Sequence, residues 1–211
     1  MKKDMEIRCF DIDGVELRAV KAEEGSVISG YAARFNSWSE DLGGFRERIK
    51  AGAFRKALMK SDVRLLYNHD TNNLPLGRTP KTLRLEEDTK GLRFEGDLPD
   101  TQMARDLVIA IERRDITGNS FSFSVAEGGD EWKEKDGVTS RTITEFDQIY
   151  DIGPVVYPAY HEAKVKVSQR ALDKVKEIKS AETRADDTGE TSRRTEDEQK
   201  NLEIDMLMLK A

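Results

Sequence analysis

Apolar and polar residues alternate with a period of two in the first part of the chain. Ile7 and Cys9, then Val15, Leu17 and Ala19 around Asp13-Gly14, then Val27 to Phe35, predict an antiparallel β start. Between Gly43 and Ser61 the spacing turns helical, with Ala53, Phe54, Ala57 and Leu58 forming one stripe after Gly52. Val63, Leu65 and Tyr67 alternate with Arg64, Leu66 and Asn68, so His69 is expected to continue the Val63 face at a strand end. Leu83 and Leu85 are set to pair with Leu92 and Phe94 in a hairpin, with Gly91 supplying the turn. Asp100 or Thr101 can cap a helix whose inner face is Met103, Leu107, Ala110 and Ile111 and whose end carries Arg113 and Arg114.

After Gly118 the period returns to two. Phe121, Phe123 and Val125 point one way and Ser120, Ser122 and Ser124 the other, which leaves the serine face for chemistry. Turns at Gly128-Gly129-Asp130 and Asp136-Gly137 precede strands expected from Arg141 to Phe146 and from Ile149 to Val156, and Pro158 closes the sheet region. Ala171, Leu172, Val175 and Ile178 then make an amphipathic helix.

Composition changes this picture mainly at the C-terminal end. The 211 residues suffice for one domain with a core plus extra material, and a charged share of 36% against 37% apolar implies a solvated part. That part runs from about Lys179 to Lys200, where the run from Glu182 to Glu198 reads as a disordered linker before an apolar patch of Leu202, Ile204, Met206, Leu207 and Leu209. The division expected is residues 1–168 as the functional domain and 169–211 as helix, linker and tail.

Acidic residues outnumber basic ones 41 to 35, which disfavours a nucleic-acid partner. The single cysteine, Cys9, excludes an internal disulfide framework, and no apolar run approaches a membrane span, so a soluble intracellular protein with no membrane partner is expected. Two histidines and one cysteine without ligand-like spacing leave no basis for a metal site, and no cofactor is expected.

The candidate chemistry is a serine with a base. A hydroxyl becomes a nucleophile near neutral pH when a positioned imidazole takes its proton, and Ser120 and His69 are the pair available. A third group must hold the imidazole tautomer. Asp151 is the first choice, because an acid in the otherwise apolar run Tyr150-Asp151-Ile152-Gly153-Pro154-Val155-Val156 is costly unless paired. Glu145, Asp147 and His161 are the alternatives, and Arg78 is a candidate for stabilising an oxyanion. The order His, Ser, acid differs from those of chymotrypsin, subtilisin and the α/β-hydrolases, and there is no Gly-x-Ser-x-Gly elbow.

Several blocks in series carry a resemblance. They are Gly30-Tyr31-Ala32-Ala33-Arg34-Phe35-Asn36, Phe45-Arg46-Glu47-Arg48-Ile49 with Gly52-Ala53-Phe54, Asn68-His69-Asp70, Leu76-Gly77-Arg78-Thr79, Gly91-Leu92-Arg93-Phe94, Ser120-Phe121-Ser122-Phe123 and Pro158-Ala159-Tyr160. Their order resembles that of the prohead proteases of tailed phages, over roughly Glu6 to Ser168. The resemblance implies a serine endopeptidase in the immature capsid, in the host cytoplasm, with scaffold and the major capsid protein as substrates and itself as a final one. It also implies an α+β fold like that of the herpesvirus assemblins: a mainly antiparallel β-barrel surrounded by helices. The C-terminal tail after Ser168, disordered or helical by its composition, lies outside the resemblance.

By the same resemblance His69 matches the base and Ser120 the nucleophile. Asp151 stands where the family more often has glutamate, and Ser122 where it commonly has glycine. A homodimer or higher oligomer is an open expectation, and the tail is expected to tether the enzyme to scaffold or capsid. A catalytically weak scaffold or assembly chaperone that keeps the protease fold is the rival reading.

Overall fold

The computed structural model describes residues 4–10, 18–22, 25–157 and 167–181. In chain order the elements begin with β1 (Glu6–Phe10), β2 (Arg18–Ala22), β3 (Gly25–Arg34), β4 (Arg46–Ile49), α1 (Arg55–Lys60), β5 (Arg64–Leu65) and β6 (Gly77–Arg78). They continue with β7 (Leu83–Glu87), β8 (Gly91–Leu98), α2 (Gln102–Glu112), β9 (Gly118–Val125), β10 (Asp130–Lys135), β11 (Val138–Ile143) and β12 (Phe146–Val155). Residues 169–181 form a further helix, α3. The chain divides into two units, Met1–Arg170 and Ala171–Ala211. The apolar patch after Leu202 and the turn at Asp13-Gly14 lie outside the described residues, as does His161.

The fold is mixed α/β and mostly strands. Three sheets are present among the described residues, ordered β1-β9-β12-β5-β6, β2-β3-β8-β7 and β10-β11-β4. None closes into a barrel, so the expected barrel is replaced by separate ladders. The pairing is antiparallel except between β4 and β11 and between β5 and β12.

Local chemistry accounts for several boundaries. The Thr101 side chain accepts from Ala104 N–H at 3.3 Å and starts α2, whose Ala104, Leu107, Val108 and Ile111 are buried. The β7–β8 hairpin pairs Leu85 with Phe94, as the alternation predicts. Gly91 serves a different need from the one expected: a Cβ there would lie 2.0 Å from the Ala33 carbonyl oxygen, so close approach of β3 requires glycine. The helix expected between Gly43 and Ser61 is split into β4 and the short α1. The strand β10, between the two predicted turns, is not marked by apolar alternation because its sequence Asp-Glu-Trp-Lys-Glu-Lys is almost wholly charged.

The core is aromatic where the start of α1 meets β9 and β12. Phe54 stacks on Phe146 at a centroid distance of 4.4 Å, Phe121 on Phe123 at 4.7 Å, and Phe123 meets Phe146 edge-on at 4.9 Å. All four are buried.

Beside this apolar core lies a buried ionic one. Arg8 on β1 reaches Glu47 on β4 at 2.8 Å and Glu6 at 2.6 Å. Arg141 on β11 reaches both glutamates at 2.9 Å and Asp130 on β10 at 2.9 Å. Charges taken out of water need near-complete pairing, and here each guanidinium is shared between carboxylates. The network joins an edge strand of the first sheet to all three strands of another.

Replacing Arg141 by Met is expected to destabilise the fold by about 3–5 kcal/mol, because three buried carboxylates lose a shared cation; the urea midpoint measures it. Burial alone would raise the Glu6 pKa, but the charges and hydrogen bonds of Arg8 and Arg141 outweigh it and hold the carboxyl below its ordinary 4.5. A depressed folded pKa adds stability that is complete above about pH 4.5 and is lost as pH falls through the folded value. Glu6→Gln is therefore expected to show a lower midpoint at neutral pH and a shallower decline below about pH 4.5 than the wild type.

Candidate active site

Strand β9 carries the serine. Its two faces are both buried: Phe121 and Phe123 on one, and Ser120, Ser122 and Ser124 on the other, with Ser120 fully enclosed. The alternation of the sequence is therefore kept, but the polar face is covered rather than open to solvent. Buried hydroxyls need partners, and neighbouring strands supply them.

Strand β12 runs antiparallel to β9 and sets Asp151 opposite Ser122 and Gly153 opposite Ser120. A register shift between Ile149 and Asp151 adds a residue on the β12 side. Such a bulge re-aims the side chain next to it.

His69 comes from a turn rather than from the strand predicted to carry it. β5 stops at Leu65, and the chain then follows β12 by hydrogen bonds from Leu66 N–H to the Ile152 carbonyl at 2.9 Å and from Asn68 N–H to the Pro154 carbonyl at 3.0 Å. Asn68 and His69 both adopt left-handed backbone conformations, φ 53° and 55°. These two residues turn the chain so that the imidazole faces β9 and β12. Gly153 makes the approach possible: a Cβ at this position would lie 1.8 Å from the Leu66 carbonyl oxygen.

The three side chains meet in one line. His69 Nε2 lies 2.6 Å from Ser120 Oγ, and His69 Nδ1 contacts the Asp151 carboxylate through Oδ1. A carboxylate only accepts, so the Nδ1 proton belongs to the histidine and Nε2 presents its lone pair to the serine. The other oxygen of Asp151 accepts from Ser122 Oγ. The His69 and Asp151 side chains remain 17% and 13% exposed, in contrast to Ser120.

Strand β1 adds two groups that sequence reading does not place here. Ser120 Oγ lies 2.9 Å from the Arg8 carbonyl, and Cys9 Sγ lies 3.2 Å from Ser120 Oγ. A hydroxyl has one proton, so the Arg8 carbonyl and His69 Nε2 are competing acceptors for it. Cys9 arrives because β1 pairs with β9 in the register Cys9 to Ser120. Nothing in local spacing marks that pairing.

The other candidates stand elsewhere. Glu145 is paired with Lys56 Nζ at 2.6 Å and Asp147 with Lys60 Nζ at 2.7 Å, both lysines being on α1. The Arg78 guanidinium is held by both oxygens of Asp62 at 2.7 Å on an exposed surface, so the structure gives it a partner other than the site. Those hydrogen bonds hold the Asp62 carboxyl well below the usual carboxylate range and push Arg78 up. Among the described residues there is no group of three metal-ligating side chains, and no helix is long and apolar enough to cross a membrane.

With this geometry in view, the family model described as "Caudovirus prohead serine protease" matches residues 13–178, well over half the chain. No curated protein sequence matches. Among solved structures, that of the capsid assembly protease gp21 of bacteriophage T4 is similar at 11% identity and a TM-score of 0.44, covering 72% of this chain and 97% of that one.

Gly153→Ala is expected to destabilise the protein by about 1–3 kcal/mol through forced displacement of the Leu66 backbone. Urea unfolding checks it. An unchanged midpoint would mean that the segment leading to His69 is free to move away.

Proposed function

The chain belongs to the caudovirus prohead serine proteases, and from that premise we propose that it is a serine endopeptidase using His69, Ser120 and Asp151. Its substrates in this reading are scaffold, or the scaffolding part of the major capsid protein, and finally the chain itself, all within the immature capsid. The protease unit is assigned to residues up to about 168, with α3 and the residues beyond it as an appendage. The observation that carries the proposal is the 2.6 Å approach of His69 Nε2 to Ser120 Oγ with an acid at the opposite ring nitrogen.

The chemistry rests on that line of groups. Nε2 takes the Ser120 proton as Oγ attacks the scissile carbonyl carbon, and Asp151 stabilises the imidazolium that forms. The imidazolium returns the proton to the leaving amine as the C–N bond breaks, giving an acyl-enzyme. Water, losing a proton to His69, then hydrolyses the ester and regenerates Ser120. The negative oxygen of each tetrahedral intermediate is assigned to backbone N–H donors, since Arg78 is engaged by Asp62. Because Ser120 has no exposed surface, a peptide carbonyl reaches Oγ only after its cover shifts.

Self-trimming is the direct test. Wild-type protein is expected to lose mass on incubation, as read by intact-mass spectrometry, whereas Ser120→Ala stays full length while keeping its fold. Asp151→Asn is expected to slow cleavage by about 10³–10⁴-fold, because an amide stabilises the wrong imidazole tautomer. Loss of cleavage in Glu145→Gln but not in Asp151→Asn would transfer the third role to Glu145, and cleavage by Ser120→Ala would overturn the assignment.

A further inference from the structure

We propose that Ser122 is a positioning residue for the acid, a fourth member of the line that acts through Asp151 without touching substrate. The proposal rests on the reading of Asp151 as the partner of His69 given above.

An aspartate has two side-chain torsions, and a carboxylate held at one oxygen can still swing about that contact. In this site both oxygens are held. Oδ1 meets His69 Nδ1, and Oδ2 accepts from Ser122 Oγ. With both oxygens fixed, the carboxylate plane is set with respect to the imidazole.

The donor is as well defined as the acceptor. Ser122 is 1% exposed, sits on a strand buried on both faces, and lies directly across from Asp151 in the β9–β12 ladder. A hydrogen bond to an ionised group in such surroundings is stronger than one in water. The bulge beside Asp151 turns its side chain toward this partner, and the serine hydroxyl meets it with a short, two-rotor reach.

The arrangement also closes on itself. The sequence Ser122, Asp151, His69, Ser120 begins and ends on the same face of β9, two residues apart. Nucleophile and acid are thus referenced to one rigid strand, so small movements of β12 or of the His69 turn are corrected from both ends. Support of this kind is what holds a reacting geometry within the tolerance catalysis demands.

The test measures the nucleophile without a known substrate. A fluorophosphonate probe labels an activated serine: the Oγ–P bond forms, the P–F bond breaks, fluoride leaves and the proton passes to the histidine. Folded Ser122→Ala and Ser122→Cys are expected to show a maximal labelling rate about 10- to 100-fold lower, with the probe's half-saturating concentration nearly unchanged. The proton NMR resonance of the His69 Nδ1–H, downfield in the wild type, is expected to shift or vanish in both variants. Ser122→Thr, which keeps the hydroxyl, is expected to restore rate and resonance.

Should the alanine variant fail to fold, the near-isosteric cysteine variant decides. Wild-type rate and resonance in a folded Ser122→Ala or Ser122→Cys, with Ser120→Ala unlabelled, would overturn the positioning role and leave the triad intact. Unchanged labelling of Ser120→Ala would instead overturn the triad reading, and this proposal with it.

Discussion

The antiparallel register between β9 and β12 is the constraint on which the site depends. It fixes Ser122 against Asp151 and Ser120 against Gly153, so Ser120, Asp151 and the gap through which the His69 segment enters are set by one ladder. Because strand side chains alternate with a period of two, a one-residue slip would turn Ser120 and Asp151 to opposite faces. The phenylalanines guard against that slip. Phe121 and Phe123 are packed against Phe54 and Phe146 on the reverse side, and no register that exposes them preserves the core.

A strand buried on both faces carries a second obligation. Its polar face must be satisfied by the protein itself, because an unpartnered buried hydroxyl costs free energy that the core cannot recover cheaply. Ser120 is met by His69 and the Arg8 carbonyl, Ser122 by Asp151, and Ser124 by the Tyr150 hydroxyl at 3.1 Å. Site and scaffold are therefore not separable along β9. His69 and Asp151, the partners in the proposed chemistry, are also groups that make burial of Ser120 and Ser122 tolerable, and β1 takes part because the buried arginine and glutamate network anchors it.

Much of this is legible in the sequence, and the reasons differ by residue. The serine and phenylalanine faces of β9 follow from strict alternation, the β7–β8 hairpin from paired apolar runs, and Asp151 from the cost of an acid among Ile152, Val155 and Val156. Features that depend on distant backbone are not. His69 looks like the end of a strand because Val63, Leu65 and Tyr67 alternate, yet only Arg64–Leu65 pair as β5 before the chain turns. Cys9 and the Arg8 carbonyl meet Ser120 through a pairing 111 and 112 residues apart in sequence, which no local pattern encodes. Ser122 is visible as a residue but not as a partner of Asp151, since that contact needs both the register and the bulge. Arg78 stands close to His69 in sequence but serves Asp62 in the fold.

The turn at His69 shows how the fold holds a conformation that the chain alone disfavours. Left-handed backbone at two successive non-glycine residues is costly, of order 1–3 kcal/mol for each in general, with asparagine the more tolerant of the pair. Such a conformation persists only if its surroundings fix it from several sides. Here the Asn68 amide is tied to the Pro154 carbonyl, the Asn68 side chain accepts from Val156 N–H at 3.0 Å, and Asp70 N–H closes the turn on the Tyr67 carbonyl at 3.0 Å. Each of the first two ties reaches β12 or the residue just past it, on the strand that also carries Asp151. His69 and Asp151 thus share a support, and the absent side chain of Gly153 is what lets that support come close enough for the imidazole to span from Asp151 to Ser120.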